Sequence, residues 1–303
     1  MKKYLFGLIA LLILLPSSIT KAADDKVKKK KPIRIAIGAM LTPEEGLDYY
    51  KECCHLISKK LNWPVQIEDR KTYSEINNLM EMGLIDIAFV CSGPYVEGHD
   101  KFGMELLAAP QAYGKTVYYS YTIVHKDSTI KSFEELRGKR FAFTDPKSNT
   151  GKMVPTYKLA KMGETPESFF KDSIFTYAHD KSIKEVALGH VDGAAVDSLI
   201  WEYAKITNPQ LTSKTKVIEK SSPFGIPPVV VRKNLNPFLK QKFKESFLNI
   251  HNDIEGKNIL KKMMIDKFVD IDDHAYNSIR EMKKWIAEDK QQLLEKSKEN
   301  AGP

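Results

Sequence analysis

Residues 145–155 read DPKSNTGKMVP. Ser148, Asn149 and Thr150 are three hydrogen-bonding side chains in a row, Gly151 follows them, and a helix-like pattern begins there. A helix N-terminus carries about half a positive charge and up to four unpaired N–H groups. One capping side chain would satisfy such an end. Three of them, with a glycine that lets the backbone come close, suit a tetrahedral oxyanion held by hydroxyl, amide and backbone donors. The Walker loop is excluded, because its spacing and its terminal Lys-Ser/Thr pair are missing.

Such a mouth needs a strand before it and a helix after it. Residues 140–144 read as the strand and 150–162 as the helix, closed by Gly163. The same alternation begins earlier. Strands are expected over 33–39, 65–68 and 85–90, with helices over 46–61 and 73–82 between them. The apolar run at 85–90 is of the kind buried on both faces of a parallel sheet. Beyond the mouth, strands are expected over 174–177 and 193–196, with a helix over 181–188. From Pro237 onward the pattern is helical, amphipathic and lysine-rich. Two extended segments, 118–125 and 226–232, join the two βα units. This is an α/β chain of two lobes, whose ligands bind at strand carboxyl ends and between lobes.

The first residues address the compartment. A basic start at 1–3, an apolar run at 5–15 and small residues near 20–22 make a secretory leader. The run is too short to span a membrane, which takes about 20 residues. Lys+Arg exceed Asp+Glu by 47 to 39. Losing Lys2, Lys3 and Lys21 with the leader reduces the excess to about +5. The run at 28–31 is a solvated basic tail, and no basic face interleaved with aromatics suggests nucleic acid. Cys53, Cys54 and Cys91 allow one disulfide, from either of the adjacent pair to Cys91, or three buried thiols. No metal site follows from them.

Four stretches carry a resemblance: FTDPKSNTGKMVPTYKLAK, GHVDGAAVDSLIWEY, SSPFGIPPVVVRKNL and KFVDIDDHAYNSIREM. In this order they resemble the phosphonate/phosphite/phosphate-binding proteins of ABC importers. The resemblance covers essentially the whole mature chain. It implies a two-lobed periplasmic-binding fold of type II, with two crossover strands and a cleft between lobes. On that reading 1–22 is the signal peptide and 23–32 a basic linker. Residues 33–118 and 230–303 form one lobe and 119–229 the other, with hinge strands at both boundaries.

The resemblance also implies a monomeric periplasmic carrier that delivers a small phosphorus oxyanion to an inner-membrane ABC permease, with no cofactor, metal or nucleic acid. The family's Ser-Thr-Ser at the helix mouth stands here as Ser148-Asn149-Thr150, followed by Gly151. Its histidine after the next strand matches His179, and its carboxylate matches Asp197. A carboxylate facing an oxyanion repels it unless a proton lies between them, so Asp197 selects ligands bearing a P–OH or an amine over sulfate. Aminoalkylphosphonate-binding relatives carry a second carboxylate where this chain has Phe224-Gly225-Ile226-Pro227. That departure favours phosphite, phosphate or methylphosphonate. From the first lobe, Tyr95 and one of the adjacent Tyr49 and Tyr50 are expected as lid residues, with Tyr49 preferred.

An enzyme is disfavoured. Neither G-x-S-x-G nor H-E-x-x-H is present. A Ser148–His179–Asp197 triad would crowd the oxyanion with its own carboxylate. A sensory module would use the same closure to address a signalling partner instead of a permease.

Overall fold

The computed structural model describes residues 30–38 and 46–300, with 289–300 as backbone only. The leader at 1–22 and most of the basic linker lie outside the described residues. The first lobe runs β1 (Ile33–Ile37), α1 (Leu47–Leu61), β2 (Val65–Asp69), α2 (Tyr73–Glu81), β3 (Ile87–Phe89), α3 (Ser92–Phe102) and β4 (Glu105–Gln111). Local chemistry sets these boundaries. Asn62 ends α1 in the left-handed region at φ 45°. A capping box opens α2, with Thr72 accepting from the Glu75 N–H while the Glu75 carboxylate accepts from Thr72.

A short strand, β5 (Val117–Tyr118), leads out of this lobe. The second lobe runs β6 (Ser120–His125), β7 (Arg140–Phe143), α4 (Val154–Lys161), α5 (Pro166–Phe169) and β8 (Asp172–Phe175). It continues through α6 (His179–Ala187), β9 (Gly193–Asp197), α7 (Ser198–Thr207), α8 (Pro209–Thr212) and β10 (Thr215–Lys220). The chain returns through β11 (Phe224–Gly225) to β12 (Val229–Val231), α9 (Pro237–Asn249), α10 (Ile254–Lys262), β13 (Lys267–Val269) and α11 (Asn277–Asn300).

The first sheet has the order β13-β4-β12-β3-β1-β2, and the second β10-β6-β9-β7-β8. In the first, β12 comes back from the far end of the chain and lies antiparallel between β3 and β4. Both sheets are covered on both faces by apolar clusters. The parallel core strands place their carboxyl ends, and the helix N-termini that follow them, at the cleft.

The structure narrows the expected crossovers. β6 pairs along its length within the second sheet, and β12 within the first. The crossing itself is a two-stranded ribbon in which Tyr118 pairs with Phe224 and Val117 with Gly225. The ribbon is anchored by Ser92 Oγ donating to the Gly225 carbonyl at 2.7 Å and Tyr276 donating to that of Ile226 at 2.9 Å. The expectation of an all-helical C-terminal part needs correction. Residues 267–269 form β13, an edge strand antiparallel to β4. The three cysteines are free and buried: Cys53 and Cys54 are core residues of α1, and Cys91 is the residue just before α3.

A buried ion cluster ties the returning strand to the sheet. Asp86 accepts from Arg34 Nε at 3.0 Å and from Arg232 Nε at 2.8 Å, and its side chain is 6% exposed. Burial alone would raise its pKa, yet the bonds from the two guanidinium groups hold it below the ordinary carboxylate value. Removing the carboxylate leaves two half-buried cations facing each other. Asp86→Ala is expected to cost about 3–5 kcal/mol of stability, the loss typical of a broken buried pair. Denaturant unfolding checks this, and a loss under about 1 kcal/mol, as for a surface pair, would refute it.

Candidate functional site

The loop after β7 does not enter an ordinary helix. Residues Asn149–Met153 form a wide π-type turn, in which the Met153 N–H reaches the Ser148 carbonyl at 2.9 Å. Such turns recur at functional sites. Ser148 caps the turn, its Oγ accepting from the Gly151 N–H at 3.0 Å. Gly151 is required for a different reason from the one expected. A Cβ there would lie 2.3 Å from Thr144 Oγ1, so the glycine lets the turn pack against the end of β7. Ser148, Asn149 and Thr150 are all fully buried.

His179 begins α6 and is also fully buried. Its Nδ1 accepts from the backbone N–H of Asp197 at 3.0 Å and lies 3.1 Å from Thr144 Oγ1. Burial lowers its pKa to about 3, so the ring is neutral. With Nδ1 accepting, the proton sits on Nε2. Nε2 has no partner among the described residues.

Asp197 ends β9 and caps α7, its Oδ1 accepting from the Leu199 N–H at 2.7 Å. Burial raises its pKa to about 7 in spite of that cap. The turn and the two strand ends therefore bring Ser148, Asn149, Thr150, His179 and Asp197 to one end of the second sheet. Thr150 Oγ1 and Asn149 Oδ1 are also buried without partners. Asn149 Nδ2 donates to the Tyr118 hydroxyl at 3.1 Å. That hydroxyl can donate or accept, so the amide can present either end to a ligand.

The tyrosines fall differently from expectation. Tyr95 does not face the cleft: its hydroxyl donates to Asp273 Oδ1 at 2.6 Å and its ring packs 4.6 Å from Tyr276. Tyr49 stands at the cleft wall with Lys262 Nζ 5.2 Å from its ring centroid. Tyr50 is the tyrosine of the pair that addresses Asp197. Burial raises its pKa, and the charge of Asp197 adds to the effect. Tyr73, which sequence reasoning missed, lies against the loop before the helix mouth from the first lobe. Its hydroxyl is buried without a partner, and its pKa is raised well above normal by burial, then by Cys91, Asp145 and Asp197. The available signal was its position, the first residue of a capped helix after a strand.

The two lobes meet at this point. The Tyr73 N–H donates to Asp145 Oδ2 at 3.2 Å, and Lys147 pairs with Glu97 at 2.6 Å. Gly93 of α3 presses on the loop before the turn: a Cβ there would lie 2.6 Å from the Lys147 carbonyl oxygen and 3.2 Å from the Asn149 nitrogen. The arrangement can hold an oxyanion by neutral donors, Nε2–H of His179 and the hydroxyls of Thr150 and Tyr73, with a carboxyl group alongside.

A family model described as the periplasmic substrate-binding protein of phosphonate ABC transporters matches residues 35–276. The chain is similar to the phosphonates-binding periplasmic protein of Escherichia coli K12, 30% identical over 212 residues, 68% of this chain and 62% of that one. It is also similar to a probable ABC transporter phosphite-binding protein of Prochlorococcus marinus, 28% identical over 167 residues, 51% of this chain and 54% of that one. The matched part thus spans less than two thirds of either relative's length. Among solved structures, a binding-protein component of a phosphonate ABC transporter from Pseudomonas aeruginosa superposes with a TM-score of 0.81 at 26% identity, covering 86% of this chain and 88% of that one. A Prochlorococcus marinus protein in complex with methylphosphonate gives a TM-score of 0.76 at 21% identity, covering 84% and 97%. The two-lobed fold is shared with both.

The contact at Gly93 predicts a closure defect. Gly93→Ala places a methyl group against the opposite lobe, so the variant is expected to fold normally but to bind ligand about tenfold more weakly or worse, each tenfold being about 1.4 kcal/mol. Unchanged affinity in calorimetry would show that the two lobes do not meet there in the bound state. The two titrating neighbours predict opposing pH effects in the ligand-free protein. His179, lowered from 6.5 to about 3, loses stability as pH falls through 6.5, because only the unfolded chain takes up the proton. Asp197, raised from 3.8 to about 7, loses stability as pH rises above 3.8, because only the unfolded chain releases it. The thermal midpoint of Asp197→Asn should therefore climb more steeply with pH than that of the unaltered protein between 3.8 and 6.5. Superimposable profiles would contradict the buried, protonated Asp197.

Proposed function

The chain belongs to the family of periplasmic substrate-binding proteins of phosphonate ABC transporters, and from that premise we propose that it captures a phosphorus oxyanion in the periplasm by cleft closure and presents it to a membrane permease. The observation that supports this most directly is the set of buried donors without partners: Thr150 Oγ1, His179 Nε2 and Tyr73 Oη. Burying such a group unpaired costs about 1–3 kcal/mol. A site carrying several of them between two closed lobes is built for an acceptor that comes from outside.

The chemistry of the acceptor follows from the charges. Neither His179, held neutral, nor the hydroxyls bring a formal positive charge, so the anion rests on hydrogen bonds and the helix end. Asp197 faces that anion and, near neutral pH, shares a proton with it. A phosphonate, phosphite or phosphate monoanion brings the P–OH that this pairing needs. Sulfate brings none, so it can be held only while Asp197 keeps its own proton, and the ionised carboxylate repels it as pH rises above about 7. The two lobes engage the ligand from opposite sides, Tyr73 from the first and the turn with His179 from the second. Ligand therefore stabilises the closed state by its differential affinity for it. Carriage of this kind needs no chemical step.

Titration calorimetry with methylphosphonate, phosphite, phosphate and sulfate tests the reading. At least one phosphorus species is expected to bind, and sulfate more weakly, with the gap widening as pH rises above about 7. Thr150→Val, which removes one hydroxyl at nearly constant shape, should weaken that binding by roughly tenfold or more, the cost of leaving an anion oxygen unpaired. Failure of all phosphorus species to bind would overturn the proposal, as would a Thr150→Val variant that binds as well as the parent.

A further inference from the structure

Asp197 of the polar mouth also lines a chamber of about 60 Å³. Its walls come from both lobes: Tyr50, Phe89 and Met264 from the first, Ile200 and Tyr203 from α7, and Pro227 from the returning segment. Asp197 is the one charged side chain among the described residues that line it. The carboxylate thus stands between two environments, hydrogen-bonding groups on one side and apolar or aromatic surface on the other.

The rim of the chamber is built with some strain. Tyr113 and Met264 both line it, and both adopt left-handed backbone conformations, at φ 52° and 55°. Side chains of these types rarely do so. The Tyr113 hydroxyl donates to Met264 Sδ at 3.4 Å, so the two strained residues hold each other across the turn after β4 and the end of α10. The turn is further tied down by the Gly114 N–H donating to Asp266 Oδ2 at 2.7 Å. Strain kept in place by such bonds marks a position where the shape of the wall matters.

We propose that this chamber receives an organic substituent on the ligand, and that the cargo is a phosphonate carrying an uncharged apolar group of roughly three to five heavy atoms. The inference rests on the function proposed above, since it takes the phosphorus group to lie at the helix mouth. Three considerations lead to it. A water-sized group needs about 10–15 Å³ of such space, so the chamber has room for several. Inorganic phosphite or phosphate would leave that room to water, which finds few polar partners on these walls. An ammonium group would lose its hydration against a single carboxylate, and Ile226 and Pro227 line the wall where a second one could have stood. An alkyl or small aryl group meets no such cost and removes apolar wall from water. This replaces the expectation of the smallest oxyanions with a ligand of the same head group and a larger tail.

The test is a titration series on the purified protein with phosphite and with methyl-, ethyl-, propyl-, butyl- and 2-aminoethylphosphonate. Affinity is expected to rise by roughly fourfold for each methylene from methyl to propyl, and ethyl should bind more tightly than its amino derivative. Ile200→Phe, which fills the chamber, should erase the gradient, so that propylphosphonate loses at least tenfold relative to methylphosphonate. A flat or falling series in the parent protein, or tighter binding of 2-aminoethylphosphonate than of propylphosphonate, would overturn the inference while leaving the proposed function in place. If no phosphorus compound binds, both fall together.

Discussion

The backbone N–H of Asp197 donates to Nδ1 of His179, and much of the cleft's chemistry depends on that one bond. It fixes the imidazole as the Nε2–H tautomer, so a neutral ring becomes a donor aimed outward. It also joins the end of β9 to the start of α6, and thereby sets where the Asp197 side chain emerges. A protonated histidine would offer a stronger anion contact but would have to be charged inside a closed protein, and burial opposes that. The site instead gathers neutral donors around a carboxyl group. Such a site discriminates by counting protons as well as by attracting charge.

Unpartnered donors are costly in a structure whose lobes are in contact, and that cost has a use. The contacts that join the lobes beside the mouth include one buried N–H to Asp145, one ion pair at Lys147 with a side chain 37% exposed, and the packing at Gly93, while farther off Tyr157 of α4 packs on Trp285 of α11. An exposed or half-exposed ion pair contributes at most about 1 kcal/mol. Against this stand several buried groups that water would satisfy in an open cleft, each worth about 1–3 kcal/mol. On the proposed function, pairing these groups is what a ligand would add to the closed arrangement.

Much of this arrangement was legible in the sequence, and the failures have physical causes. The β-branched alternation of β1 and the capped, amphipathic pattern of α1 and α2 are local signals, and they appear where expected. The helix α3 was not anticipated, because Gly93, Pro94 and Gly98 weaken its helical signal. Two of these glycines are there because neighbours leave no room for a Cβ: Gly93 against Lys147 and Gly98 against Met104 and Phe102. β4 and β13 were missed because a strand holding Pro110 and an edge strand of three residues carry little periodicity. In the site, Ser148, Asn149 and Thr150 were legible as a polar cluster at a helix mouth, whereas His179 and Asp197 were named only through the family resemblance. The tyrosines were not legible, because which face of a helix meets the cleft depends on packing. Tyr95 is withdrawn by Asp273, 178 residues away in the chain, a partner no local pattern could indicate.

Asn149 extends the argument from the site to the hinge. It stands where the resemblance leads one to expect a hydroxyl residue, and its amide does something a hydroxymethyl group is too short to do. Nδ2 reaches the phenol of Tyr118, which is fully buried and belongs to the ribbon that joins the lobes. The same phenol lies 3.8 Å from the Cys91 thiol at the start of α3, and that thiol sits against the backbone N–H groups of Asn149 and Gly93. One buried network therefore connects the helix mouth of the second lobe, the first turn of α3 in the first lobe, and the crossover between them. A ligand that takes the free end of the Asn149 amide acts on the residue that anchors the ribbon. In low-dielectric surroundings such bonds polarise one another and tolerate little displacement. At this position a longer amide replaces a local hydroxyl contact and bonds the helix mouth directly to the crossover ribbon.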